Sequence, residues 1–79
     1  MKYYLFKTSN EIRVNFVEND VIVKRRAWYN YGDKLKHQPD AEEQYIGIDI
    51  NDYITEVSKD KPVGVIREIT EVEAFEILL

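Results

Sequence analysis

The chain has no cysteine, one histidine, three glycines, two prolines and one tryptophan in 79 residues. Without cysteine there is no disulfide framework, no thiolate nucleophile and no thiolate metal site. With Gly32, Gly47 and Gly64 far apart, no phosphate-cradling glycine loop can be written. His37 has no second histidine to work with and sits in a polar stretch beside Pro39, as a solvated loop residue would. Ser9 and Ser58 lack the surroundings of a nucleophile elbow. The apolar run at Tyr3–Phe6 is too short for a signal peptide, and no stretch approaches a membrane span, so a cytoplasmic, membrane-free protein is expected.

Length bounds the rest. A chain this short reads as a single compact domain over 1–79. Folding it buries only roughly 60% of its unfolded surface, enough for one two-layer core but not for a cleft between domains. No cofactor motif is present, and the chain is not expected to be an enzyme. The one acidic run worth testing against a calcium loop, Asp49–Ile54, places Tyr53 where a ligand belongs and has no central glycine. Glu42 and Glu43 read as a solvated pair.

Charge is present but unevenly placed. Residues 1–37 carry eight Lys/Arg and four acids, and residues 38–79 carry three and eleven, giving +4 and −8 within a total of −4. Such a split suggests either halves that pair or a dipolar surface. In the second case Glu42, Glu43, Asp49, Asp52, Glu56 and Asp60 would face a basic partner.

Hydrophobic periodicity supplies the fold. Residues 3–7 read as a strand, Thr8-Ser9-Asn10 as a turn, and 11–17 as a half-buried strand with Ile12, Val14 and Phe16 on one face and Glu11, Arg13 and Asn15 on the other. Glu18-Asn19-Asp20 turns the chain into a third strand, 21–29. A two-residue Asn19-Asp20 loop pairs Phe16 with Val23, Val14 with Arg25 and Ile12 with Ala27. A three-residue loop would mix apolar and charged sets. The preferred register turns Val21, Val23, Ala27 and Tyr29 inward and Lys24, Arg26 and Trp28 outward beside Arg13. It strands Arg25 on the apolar face and sets Arg13 against Arg26, which calls for an acid or a bound anion between them.

Residues 30–44 read as a long loop and Tyr45–Ile50 as a strand. Residues 53–57 read as a short strand in preference to a helical turn capped by Asn51 or Asp52. Residues 58–62 are a connection and 63–69 a strand interrupted at Gly64. Thr70-Glu71-Val72-Glu73 is a capping box opening a helix over 71–79. Val72, Phe75 and Leu79, flanked by Ala74 and Leu78, should lie on the sheet. The expected fold is α+β: a small antiparallel sheet of four to five strands with an N-terminal three-strand meander, curved or barrel-like, and the C-terminal helix packed on one face.

In general character this short, tyrosine-rich, cysteine-free chain with a capped C-terminal helix resembles small accessory proteins of phages and mobile elements, a resemblance that covers no specific motif and transfers no residue role. The functional candidate is the basic–aromatic strand, with Arg13, Lys24, Arg26, Trp28, Tyr29 and Tyr31 as binding residues. Two readings follow. One is a non-enzymatic binding protein acting through protein–protein contact, such as a phage-type inhibitor or accessory factor, since aromatics of this kind are enriched at interfaces. The alternative is a nucleotide or single-stranded nucleic-acid binder, pairing cations for phosphates with rings for bases. A homodimer through an exposed strand is compatible with either.

Overall fold

The structure is a computed structural model and describes residues 1–60 and 65–78, apart from the side chains of residues 60 and 65. Of the expected connection at 58–62, residues 58–60 are helical instead, and residues 61–62 lie outside the described residues, as do the break at Gly64 and the apolar contact of Leu79.

Strands β1 (Lys2–Lys7), β2 (Glu11–Glu18) and β3 (Val21–Tyr31) form the expected meander. Each turn is set locally. The Thr8 hydroxyl accepts the Asn10 and Glu11 amides at 3.2 and 3.1 Å, closing the first. Asn19 and Asp20 both take positive φ (52° and 65°), as a two-residue hairpin loop requires. The predicted register holds next to this loop, where Glu18 faces Val21 and Val17 faces Ile22. A β-bulge then shifts it by one residue, so that Phe16 faces Lys24, Val14 faces Arg26 and Ile12 faces Trp28.

That slip corrects the expected faces. Val23, expected inward, is the extra residue of the bulge and is exposed. Lys24, Arg26 and Trp28 lie on the face of Ile12, Val14 and Phe16, while Arg25, Ala27 and Tyr29 join Glu11, Arg13 and Asn15. Arg13 faces Ala27 instead of Arg26, which removes the like-charge opposition, and Arg25 faces Asn15 instead of Val14.

The stretch expected as a loop at 30–44 is structured. β3 runs on to Tyr31, Gly32 turns the chain at φ 68°, and β4 (Lys34–His37) pairs back with Trp28 opposite His37. The short helix α1 (Pro39–Glu42) follows, with the Gln38 amide donating to the Ala27 carbonyl at 3.0 Å.

Residues 45–50 are not a strand, and 53–57 are helical. The backbone turns through Tyr45 (φ 66°) and Gly47 (φ 85°), leaving Ile46 and Ile48 exposed. Helix α2 (Ile50–Asp60) begins where the Asp49 carboxylate accepts the Asn51 and Asp52 amides at 2.8 and 3.4 Å. The cap is thus Asp49, two positions before the earliest expected. Ile50, Tyr53, Ile54 and Val57 follow at i, i+3, i+4 and i+7 and pack on Val17, Ile22 and Tyr4.

Strand β5 (Val65–Ile69) pairs antiparallel with β1, giving the order β4-β3-β2-β1-β5. The sheet is open, with β4 and β5 at its edges, and not barrel-like. Helix α3 (Glu71–Leu78) has the predicted capping box. The Thr70 hydroxyl accepts the Glu73 amide at 3.1 Å, and Glu73 accepts the Thr70 amide at 3.2 Å. Its buried face differs from expectation: Ala74 and Ile77 pack with Tyr3, Leu5, Val14 and Ile69, while Val72 and Phe75 are exposed. Ala74 has no bulk beyond Cβ and lets the helix sit close. Phe75 lies at the margin, its ring 6.3 Å from that of Tyr3.

The sheet is therefore covered on both faces, by α3 on one and α2 on the other. This is why Glu11, Arg13 and Asn15 are buried although alternation alone put them outward. Among the described residues no helix is long and apolar enough to cross a membrane.

Candidate functional site

The bulge divides the six candidate residues into two sets on opposite faces of the sheet. Lys24, Arg26 and Trp28 lie on the α3 face. Lys24 is exposed, with its ammonium 5.4 Å from the Phe16 ring centre. Arg26 is half-buried, 6.0 Å from the Trp28 ring, with Nε 3.3 Å from Glu42 Oε2. Trp28 packs its body on the core and approaches the His37 ring at 6.4 Å.

Arg13, Tyr29 and Tyr31 lie on the α2 face. Arg13 is buried and donates to Glu11 Oε2 at 2.8 Å and to the Tyr29 hydroxyl at 3.1 Å. Tyr29 is half-buried, and Tyr31 is 60% exposed with the Lys36 ammonium 5.9 Å from its ring. The structure therefore does not bring Arg13 to Lys24, Arg26 and Trp28.

Glu42 organises the edge of β3. Its Oε2 accepts the Ala27 amide at 2.9 Å and lies 2.7 Å from His37 Nε2 and 3.3 Å from Arg26. One carboxylate thus takes the place of a strand partner where β4 ends. His37 ends a strand, not a loop, and Glu42 is half-buried, not solvated. Of the acids expected on a negative surface, Glu42 and Asp49 are used internally, while Glu43, Asp52 and Glu56 are exposed.

The residue that sequence reasoning flagged but could not place is Arg25. It is 2% exposed. Its guanidinium donates to the Gln44 carbonyl at 2.7 Å, the Ala41 carbonyl at 3.3 Å and the Tyr53 hydroxyl at 3.4 Å. It also lies 5.0 and 5.2 Å from the Tyr45 and Tyr53 ring centres. The carbonyls belong to the end of α1 and the turn after it, groups a helix end leaves without intrahelical partners. Arg25 thus ties that segment and α2 to β3. Burial, and then the Arg13 charge, lower the Arg25 pKa, and burial raises that of the Tyr53 phenol. Neither Tyr53 nor Gln44 carried a sequence signal linking it to Arg25. Among the described residues, no three His, Cys, Asp or Glu groups gather as a metal site would need.

The exposed surface with a defined geometry is β4. All four of its residues are exposed, Leu35 by 57%, and Lys34, Leu35 and Lys36 frame a shallow concavity with Tyr31. The Asn30 amide donates to the Asn10 carbonyl, toward β2, so Tyr29 and Tyr31 turn their backbone groups to Lys36 and Lys34. By alternation, Leu35 and His37 point their N–H and C=O groups to the open edge.

The fold and edge define a small α+β domain with a basic–aromatic hairpin. No family model, curated protein or solved structure matches this chain.

Proposed function

We propose that this protein is a non-enzymatic binding protein that acts through protein–protein contact, with β4 accepting an extended segment of the partner as an added strand. The observation that carries this reading is the exposed edge strand, with Leu35 and Tyr31 in solvent and the Leu35 and His37 backbone groups directed outward. Lys34 and Lys36 share one face with Tyr31, so a segment alternating acidic and apolar residues complements the edge. Lysines on an edge also oppose self-pairing, and a second copy added at β4 would bring lysines together. The edge therefore favours an acidic partner over a homodimer. Service as an inhibitor or accessory factor, of the kind found in phages and mobile elements, is the form of contact proposed.

The nucleotide or single-strand alternative has less support. Of its cations, Arg13 is buried on the other face beside Glu11, and Arg26 is shared with Glu42.

The test uses Leu35→Pro. It removes an outward N–H while leaving the β3 bonds of Lys34 and Lys36 in place, a position where an edge strand tolerates proline. Wild-type protein is titrated with extended peptides alternating Glu and Val, and with Lys/Val counterparts, by NMR. The acidic peptides should shift the β4 amides, and Leu35→Pro should lose that binding with its circular dichroism unchanged. Equal binding by Leu35→Pro, or shifts that spare β4, would refute the reading. Salt-dependent binding of an oligonucleotide in preference to peptides would favour the alternative.

A further inference from the structure

On the α2 face of the sheet, away from the β4 edge, lies a cavity of about 140 Å³. A single water needs only ~10–15 Å³ of such space, so the cavity suits a small ligand. Its polar lining includes Arg13, Arg25, Glu11 and Gln44, and it is also lined by Tyr45 and Tyr53, whose rings pack edge to face with centres 5.0 Å apart.

The charge here is unusual for so small a domain. Two guanidiniums, both more than nine-tenths buried, share the cavity with one carboxylate among the described residues, Glu11, which Arg13 engages at 2.8 Å. Arg25 rests on neutral acceptors: two backbone carbonyls and a phenol. The Nε atoms of Arg13 and Arg25 are buried without a hydrogen-bond partner among the described residues. Buried cations are ordinarily paired, and neutral acceptors compensate desolvation less well than an anion does. The proximity of the two cations, which helps lower the Arg25 pKa, points the same way.

We propose that this cavity binds a small monocarboxylate, held by the Arg25 and Arg13 guanidiniums beside the rings of Tyr45 and Tyr53. A guanidinium fork matches the planar geometry of a carboxylate. Among the described residues the charged lining of Arg13, Arg25 and Glu11 carries one net positive charge, which balances a monoanion and not a phosphate dianion. Tyr45, Tyr53, Phe6 and Val57 give the rest of the lining apolar surface, so benzoate should bind more tightly than acetate. This inference does not rest on the β4 reading: the two sites lie on different parts of the sheet and use different residues.

The test is an NMR titration of the full chain with acetate, benzoate, phosphate and chloride at constant ionic strength, following the side-chain Nε–H signals of Arg13 and Arg25. Acetate and benzoate should give saturable shifts at these signals, with benzoate the tighter, and should raise the melting temperature in parallel. Glu11→Gln removes the carboxylate that engages Arg13 and should tighten benzoate binding several-fold, an effect that a purely structural Arg25 would not produce. The absence of saturable shifts in the wild-type protein would overturn the proposal. So would equal responses to chloride, or phosphate binding as tight as that of the carboxylates.

Discussion

Replacing Arg25 with methionine tests what holds the 41–45 segment to the sheet. The side chain keeps much of the stem but loses every donor. The 2.7 Å bond to the Gln44 carbonyl is charge-assisted, and the bonds to Ala41 and Tyr53 are longer, at 3.3 and 3.4 Å. A charged hydrogen bond is worth about 1.5–3 kcal/mol, and a buried carbonyl left without a donor costs about 1–3 kcal/mol. Ala41 is buried, so its carbonyl has little access to replacement water. Against this, methionine relieves the burial of a charge on neutral acceptors and the repulsion from Arg13, effects that can offset much of the loss. The expected net loss is about 2–3 kcal/mol. A domain of this length has about 4–12 kcal/mol in all. The loss corresponds to a fall in melting temperature of about 10–20 °C. Urea unfolding followed by Trp28 fluorescence and by far-UV circular dichroism measures it, and amide exchange over 41–48 should quicken. Arg25→Lys, which keeps the charge and a single donor group, should lose less. A methionine variant within about 0.5 kcal/mol of wild type would refute the view that Arg25 anchors this segment.

Thr70→Ala removes the hydroxyl that accepts the Glu73 amide and should cost about 1 kcal/mol in urea unfolding. Glu73 itself has a lowered pKa, first because it accepts the Thr70 amide and then through Arg67. A carboxylate depressed on folding contributes stability above its unfolded pKa and loses it as pH falls through the folded value. Unfolding titrations from about pH 6 down to about pH 2 should therefore show a smaller acid loss in Glu73→Gln than in wild type, and parallel curves would exclude the effect. Asp20 takes φ 65° in the hairpin loop, so Asp20→Gly should raise stability by about 0.5 kcal/mol, and a drop in melting temperature would count against that turn geometry.

Parts of the fold were legible because their causes are local. Asn19-Asp20 suits a two-residue loop whatever surrounds it, and Thr70 and Glu73 satisfy each other three residues apart. The error at 45–57 came from two overlapping signals. Ile46, Ile48 and Ile50 alternate as a strand would, while Ile50, Tyr53, Ile54 and Val57 repeat as a helix would. The helical set prevailed because it could cover Val17 and Ile22, while Ile46 and Ile48 found no cover. The apolar residues of α3 surround so much of the helix that its buried side depended on where small Ala74 could approach the sheet. Within the candidate site, the oddity of Arg25 was readable, as was the conflict between Arg13 and Arg26. Its resolution was not, because one inserted residue at Val23 moves every later side chain of β3 to the other face.

The sequence by itself determined the α+β class, the three-strand meander, both hairpin turns within it and the start of the last helix, each through short-range pattern and hydrogen bonding. Tertiary structure decided which face each side chain of β3 occupies, that 30–44 forms a strand and a helical turn, and that Arg13 and Arg25 are buried together. Those outcomes depend on α2 and α3 covering opposite faces of one sheet. Burial on both sides makes a strand's alternation uninformative about which side meets water, and only the packed partners resolve it.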